Sequence, residues 1–310
     1  MIARLGAVTD VVLILSLSAA ASAAASPPAP PAAPAEPTLD GVLQEAGEYV
    51  IEYGRAFSLV VAEEQSVQRL RVQAGGPVHE TRTLRSDVVF VLSPGTMLPW
   101  QLLRDVYEAD GVAVRGRQQR LEALLVGGAP DRVARARAVA DESARFNLGR
   151  GVRNYNVPTL VLTFLHPDLQ PRFEFERRRN VTVDGRTFVE IGFSERASPT
   201  VIRNVATDRD IPVRGRVLVD PANGTVARTE LAIEVTGDGV VTSSQLETTY
   251  RALPSLAMWV PVEMQERLES RLTGSRGRSG PVEFVEGIAT YRAFRRAVVE
   301  TQEEVKPPRP

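Results

Sequence analysis

The chain contains no cysteine, and this excludes thiol nucleophiles, disulfide frameworks and Cys-based metal sites. Histidine is nearly absent as well: His79 and His166 are the only two. Lysine is scarcer still, since Lys306 is the only one, and the positive charge is carried almost wholly by arginine. The formal net charge of −1 leaves no basic excess of the kind a general nucleic-acid binder needs. Long apolar runs are missing too. The most apolar stretch, Val11 to Leu17, is too short for a comfortable transmembrane helix and has Asp10 at its entrance. No HExxH, Walker A, GxSxG or GxGxxG pattern occurs.

The first 25 residues read as a secretory signal. Arg4 supplies the charged n-region, Val11 to Leu17 the apolar h-region, and Ala21-Ser22-Ala23 a small-residue cleavage site. An uncleaved N-terminal anchor is the alternative. The expected destination is the periplasm or the exterior, an oxidising place where this chain must be stabilised by its core alone. Residues 26–37 form a Pro/Ala linker, and residues 301–310 a charged, Pro-rich, disordered tail. Residues 38–300 between them are expected to form a single domain, and about 260 residues can bury one large core.

Thr38 is placed to cap a long helix with Asp40 in its first turn. Leu39, Val42, Leu43, Ala46, Tyr49, Val50, Tyr53, Phe57, Val60 and Val61 recur at helical steps and form a wide apolar stripe. Most of the chain beyond this helix alternates with period two. Strands are expected over 62–72, 83–92, 100–108, 172–178, 187–193, 213–220, 225–235 and 241–251, with two more carrying Met258–Met264 and Phe284–Phe294. In 225–235, Thr229, Leu231, Ile233 and Val235 point one way and Arg228, Glu230 and Glu234 the other. Asp110-Gly111, Asp184-Gly185 and Asn223-Gly224 are turn signals. A helical insertion spans 115–166, with helices at Arg117–Leu125, from Pro130 to about Phe146, and at Thr159–Leu165. The expected fold class is α+β: a curved antiparallel sheet, polar outside and apolar inside, packed on a long N-terminal helix.

Few residues offer chemistry. His166 precedes Pro167 at a helix end and His79 lies in a Gly-Pro loop, where structural roles are expected. Glu63 and Glu64 are adjacent on a strand and face opposite sides, so they do not form a catalytic pair. Asp105, Glu108 and Asp110 surround a hairpin, and the turn explains Asp110. The segment 115–153 is locally basic through Arg115, Arg117, Arg120, Arg132, Arg135, Arg137, Arg145, Arg150 and Arg153. Its plain reading is a solvated helix face, and its functional reading is peripheral contact with anionic head groups or an acidic partner. Arg177-Arg178-Arg179 reads as an exposed strand end. No catalytic residue, metal ligand or cofactor is expected.

Several stretches together resemble a known family. They are Arg214-Gly215-Arg216-Val217-Leu218-Val219-Asp220-Pro221, the Asn223-Gly224-Thr225-Val226 turn, Val260-Pro261-Val262-Glu263-Met264, and the closing Gly287-Ile288-Ala289-Thr290-Tyr291-Arg292-Ala293-Phe294. With the signal segment and long helix they resemble the periplasmic lipoprotein-carrier half-barrel (LolA-like) and the related envelope-stress sensors (RseB-like). The Arg104 to Gly111 stretch is similar to uncharacterised exported bacterial proteins. The resemblance implies a concave apolar cavity for an acyl chain, and a lipid, a lipoprotein or an envelope protein as partner. Inward-facing candidates for lining it are Phe175, Ile191, Phe193, Leu231, Ile233, Leu246, Tyr250, Val262, Met264 and Phe284. A helix-filled concave face, leaving a structural or interaction domain, is the alternative, and an exported hydrolase a weaker one.

Overall fold

The computed structural model describes residues 36–58, 60–93, 97–115, 138–139, 141–150, 153–204, 207–237, 239–273 and 279–296. The signal segment, nearly all of the linker, the helix expected at Arg117–Leu125, most of the helix expected from Pro130 and the tail lie outside them.

Helix α1 (Leu39–Phe57) begins where Thr38 Oγ1 accepts a hydrogen bond from the Gly41 amide at 3.2 Å. Asp40 in the first turn and Arg55 in the last complement the helix dipole. Its buried stripe is Val42, Ala46, Val50, Tyr53 and Phe57. The helix ends sooner than the stripe suggests: Val60 and Val61 already belong to a strand, with Val61 paired to Val89 and Arg295. Two adjacent β-branched residues favour that outcome, because their side chains are crowded in a helix and pack well on a pleated sheet.

The strands are β1 (Val60–Arg71), β2 (Glu80–Leu92), β3 (Trp100–Ala109), β4 (Val112–Ala113), β5 (Phe173–Val183), β6 (Arg186–Glu195), β7 (Arg203–Asn204), β8 (Arg209–Asp210), β9 (Val213–Val219), β10 (Val226–Gly237), β11 (Val240–Leu253), β12 (Met258–Thr273) and β13 (Ser279–Arg296). Eleven of them form one antiparallel sheet in the order β4-β3-β2-β1-β13-β12-β11-β10-β9-β6-β5, and β7 pairs with β8 apart from it. The sheet is curved and does not close: β4 and β5 remain at opposite edges. Its centre joins the two ends of the domain, since β1 lies against β13 with Val60 opposite Arg296. The Asp-Gly pairs at 110–111 and 184–185 adopt positive φ at both residues, the conformation that turns a two-residue hairpin without splaying its strands.

A short helix α2 (Leu160–Phe164) is wholly buried. It belongs to a crossing segment, residues 138–172, whose described part passes over the inner face of the sheet. Along β5, Arg177-Arg178-Arg179 sits in mid-strand, not at its end, where the pairing with β6 shifts register before Asn180. An irregular, charged edge strand of this kind resists pairing with other chains.

On β13 the inward residues are Val285, Gly287, Ala289 and Tyr291, whereas Ile288 is 41% exposed and Phe284 shares its outer side. The large apolar residues suggest the opposite phase. The small ones face inward, where little room remains: a Cβ on Gly287 would already lie in ordinary contact, 3.5 Å from Glu266 Cβ and 3.8 Å from Gln68 Cγ, with about 10 Å³ of space beside it. Ala293, at φ 52°, then shifts the phase so that Phe294 returns to the core beside Phe57, their rings 6.3 Å apart.

Candidate functional site

The inner face of the sheet has two unlike halves. Over β6, β9, β10 and β11 it is apolar and filled. Val42, Ala46, Val50, Tyr53 and Phe57 from α1 and Leu160, Val161, Leu162 and Phe164 from α2 share one buried cluster with Ile191, Val217, Leu231, Leu246 and Tyr250. Phe164 stacks on Phe173 at 4.8 Å, and Phe193 meets both rings edge-on. The Tyr250 hydroxyl donates to the Pro158 carbonyl, and Trp100 Nε1 donates to Thr159 Oγ1 at 3.1 Å. The covering segment is thereby tied down through polar tips as well as apolar bodies.

Where the crossing segment passes over β1, β2, β12 and β13, beyond the apolar ends at Val60, Ala62, Val88, Phe90 and Met264, the inner face turns polar and is still buried. Arg104 Nε and Nη2 donate to the two carboxylate oxygens of Glu64 at 2.7 and 2.9 Å. The same guanidinium donates to the side chain and backbone oxygens of Asn156 at 3.1 and 2.9 Å. Gln68 donates to Asn147 Oδ1 and accepts from the Leu148 amide, each at 2.8 Å. Arg153 donates to Glu266 at 3.0 Å and to the Leu148 carbonyl at 2.6 Å, with both charged side chains under 5% exposed. Three residues of the sheet face, Glu64, Gln68 and Glu266, therefore hold the crossing segment over it, with Arg104 as a bridge. Burial works to lower the pKa of Arg104, but the charge of Glu64 and its hydrogen bonds outweigh it and keep the guanidinium firmly protonated. The space left between the network and the sheet is about 10 Å³.

Glu63 and Glu64 do face opposite sides: Glu63 pairs with Arg292 at 3.3 Å on the exposed side. Glu64 and Glu266, the carboxylates of this network, are each neutralised by an arginine and are under 5% exposed. His166 Nδ1 accepts from the Asp168 amide at 3.3 Å and shapes a turn. Among the described residues no three His, Asp or Glu side chains converge to hold a metal ion, and no helix is long and apolar enough to cross a membrane.

A cleft of about 900 Å³ opens on the outer face across β5, β6, β9, β10, β11 and β12. Its lining is largely charged: Arg178, Arg196, Arg214, Arg216 and Arg267 stand with Glu174, Glu176, Glu230 and Glu247. Small residues at Gly192, Ser194, Gly215 and Ala232 leave its floor low. The Arg178 guanidinium lies over Gly192, where a Cβ would come within 2.7 Å of its Nε.

Of the candidate cavity residues, Ile191, Phe193, Leu231, Ile233, Leu246, Tyr250 and Met264 are buried in the main cluster, and Phe175 and Val262 pack against it. Phe284 is on the outer side of β13. The structure thus brings nine of the ten to one packed core; Phe175, Phe193, Leu231 and Leu246 also reach the floor of the outer cleft. In the basic segment, Arg153 is turned inward and is no part of a solvated face, and Arg150 pairs with Glu283 at 3.0 Å. Arg117, Arg120, Arg132, Arg135 and Arg137 lie outside the described residues.

Burial pushes the Tyr155 phenol up to about 12, with the charge of Glu266 adding to it. Burial likewise raises Tyr49, Tyr53, Tyr250 and Tyr291. A folded-state pKa above the unfolded value of about 10 stabilises the fold fully below that pH and ceases to do so as the pH rises through the folded value. Each tyrosine then withdraws up to about 1.4 kcal/mol per pH unit. In an alkaline absorbance titration these five should ionise together with loss of the circular-dichroism signal. Gradual ionisation near pH 10, with the fold intact, would contradict their burial.

The fold and its faces define an open antiparallel half-barrel whose concave side is packed by its own helix and crossing segment. No family model matches the chain, and no curated protein matches it. Among solved structures it is similar to a DUF1329 family protein from Desulfovibrio piger, at 11% identity over 85% of this chain and 97% of that one, TM-score 0.35. It is also similar to a putative outer membrane lipoprotein-sorting protein domain from Vibrio parahaemolyticus, at 12% identity over 84% and 94%, TM-score 0.34. A third is a Pseudomonas aeruginosa MucA/MucB complex, at 11% identity over 82% and 100%, TM-score 0.21. The assignment to the half-barrel class rests on the strand order and the helix packing above.

Proposed function

We propose that this chain is an exported protein of the cell envelope whose half-barrel serves as an interaction domain. The observation that carries this reading is the state of the concave face. Its apolar half is occupied by α1 and α2, and its polar half is sealed by two buried ion pairs. Such a face is already a core, and the open surface that remains for a partner is the charged outer one. Glu64 and Glu266 are held in ion pairs away from solvent, which counts against a catalytic role for these two. The partner classes are those the sequence resemblance implies: an envelope protein, a lipoprotein or a lipid.

A second reading keeps a hydrophobic or amphipathic ligand in the concave face, touching Phe175, Ile191, Phe193, Leu231, Ile233, Leu246, Tyr250, Val262 and Met264. One observation favours it. The apolar half is covered by two separate segments instead of a second sheet, and aromatic and Met side chains lining it adapt to an irregular ligand. Native mass spectrometry of the protein purified from an envelope extract separates the two readings. The interaction-domain reading expects the mass of the processed chain alone. A stoichiometric co-purifying lipid would favour the carrier.

A further inference from the structure

Across the outer cleft one row of cross-strand neighbours runs Ser194, Arg214, Ala232, Gln245, Arg267, one residue from each of β6, β9, β10, β11 and β12. All five line the cleft. The acidic residues that line the cleft are already matched. Glu174 pairs with Arg196 at 2.5 Å, Glu176 with Arg178 at 3.9 Å, Glu230 with Arg216 at 2.6 Å, and Glu247 with Arg228 at 3.5 Å. Glu286, the cross-strand neighbour of Arg267, pairs with Arg71 instead. Arg214 and Arg267 are exposed and have no acidic partner among the described residues. The cleft thus contains two unmatched positive charges on one line, with the short side chain of Ala232 and the amide of Gln245 between them.

Resting on the interaction-domain reading, we propose that this cleft docks an extended acidic segment of a partner protein, with two carboxylates four residues apart seated on Arg214 and Arg267. The spacing comes from the strands. Three inter-strand steps of about 4.8 Å separate the arginines by about 14 Å. An extended chain advances about 13 Å in four residues, and residues two and four apart share a face. The residue midway between the carboxylates would lie over Ala232 and Gln245, where the floor is low. Charge-assisted bonds from a guanidinium to a carboxylate are the stronger class of hydrogen bond, and at an exposed cleft they weaken with salt.

The test is fluorescence anisotropy with the full processed chain and a labelled peptide carrying two glutamates four positions apart in a Thr/Val background. Saturable binding is expected, weakening about tenfold in Arg214→Ala and in Arg267→Ala and vanishing in the doubly reversed Arg214→Glu/Arg267→Glu variant. A peptide with its glutamates two positions apart should bind about as weakly as wild-type peptide binds a single variant. Both positions are exposed, so unchanged melting temperatures will show that the variants fold. Absence of peptide binding, or binding unchanged in the double variant, overturns the proposal. So does arginine-dependent binding to vesicles of anionic phospholipid without peptide binding, which would assign the cleft to a membrane. These failures leave the packed inner face untouched, whereas only a ligand held in the concave face contradicts the interaction-domain reading itself.

Discussion

Replacing Arg153 with Ala should lower the stability of the domain by about 3–5 kcal/mol, the largest loss expected from any single charged residue here. Arg153 is 3% exposed and its partner Glu266 4%. Removing the guanidinium leaves a carboxylate buried on the inner face with its principal counter-charge gone. It also strips the Leu148 carbonyl of its donor, so the crossing segment loses two attachments at once. The comparison that isolates the cause is the double variant Arg153→Met/Glu266→Leu. Exchanging a whole buried pair for apolar groups of similar volume is often neutral or stabilising. Urea unfolding of the two variants checks this: a low midpoint for the single variant and substantial recovery for the double are expected. Equal losses would mean that the pair acts only through packing.

Gly224→Ala should be nearly as damaging, although it adds only one methyl group, at a buried turn. Gly224 has φ +68°, in the left-handed region that costs an L-residue about 1 kcal/mol. The larger effect is steric. A Cβ there would stand 2.1 Å from the Glu45 carbonyl oxygen and 2.7 Å from the Ala46 amide nitrogen. Both are backbone atoms in the middle of α1, so no side chain can swing aside. The turn joining β9 and β10 would have to part from the helix, and α1 would lift from the sheet near Val42 and Ala46, both fully buried. A loss of about 3 kcal/mol or more is expected, from strain added to lost burial. Thermal unfolding checks it, and amide exchange should report faster opening of α1. A variant as stable as the parent, with α1 still protected, would contradict this close approach.

The two substitutions separate what the sequence discloses from what it hides. Period-two alternation around Leu231 and Ile233, the Asp-Gly hairpins and the stripe of α1 as far as Phe57 are local patterns, and each lies where reading the chain places it. Local patterns fail where a distant residue sets the outcome. The phase of β13 depends on Gln68 and Glu266 standing inside Gly287, and Gln68 is more than 200 positions away in sequence. Glu64, Gln68 and Arg153 look like ordinary solvated residues one at a time. Only the passage of the crossing segment over the sheet makes them a buried network. One signal was available: Glu64, Ser66 and Gln68 alternate on the strand face that continues from Val60 and Ala62, so they had to point inward. The outer cleft was hidden for another reason. Arg214 and Arg267 are far apart in the chain, and alternation alone marks them only as exposed.

The central claim is that the concave face is a filled core and not an open acyl cavity. Titrating the purified chain with a fluorescent fatty acid, beside its Leu231→Trp variant, tests it most directly. Leu231 is 3% exposed among α1, α2 and the neighbouring strands. A filled core predicts no saturable binding by the parent chain, and a loss of about 1–3 kcal/mol in the variant, because the larger ring has no space to enter. Saturable one-to-one binding by the parent, reduced in a variant that keeps the parent's stability, would contradict it and show a cavity in the place where this account puts a core.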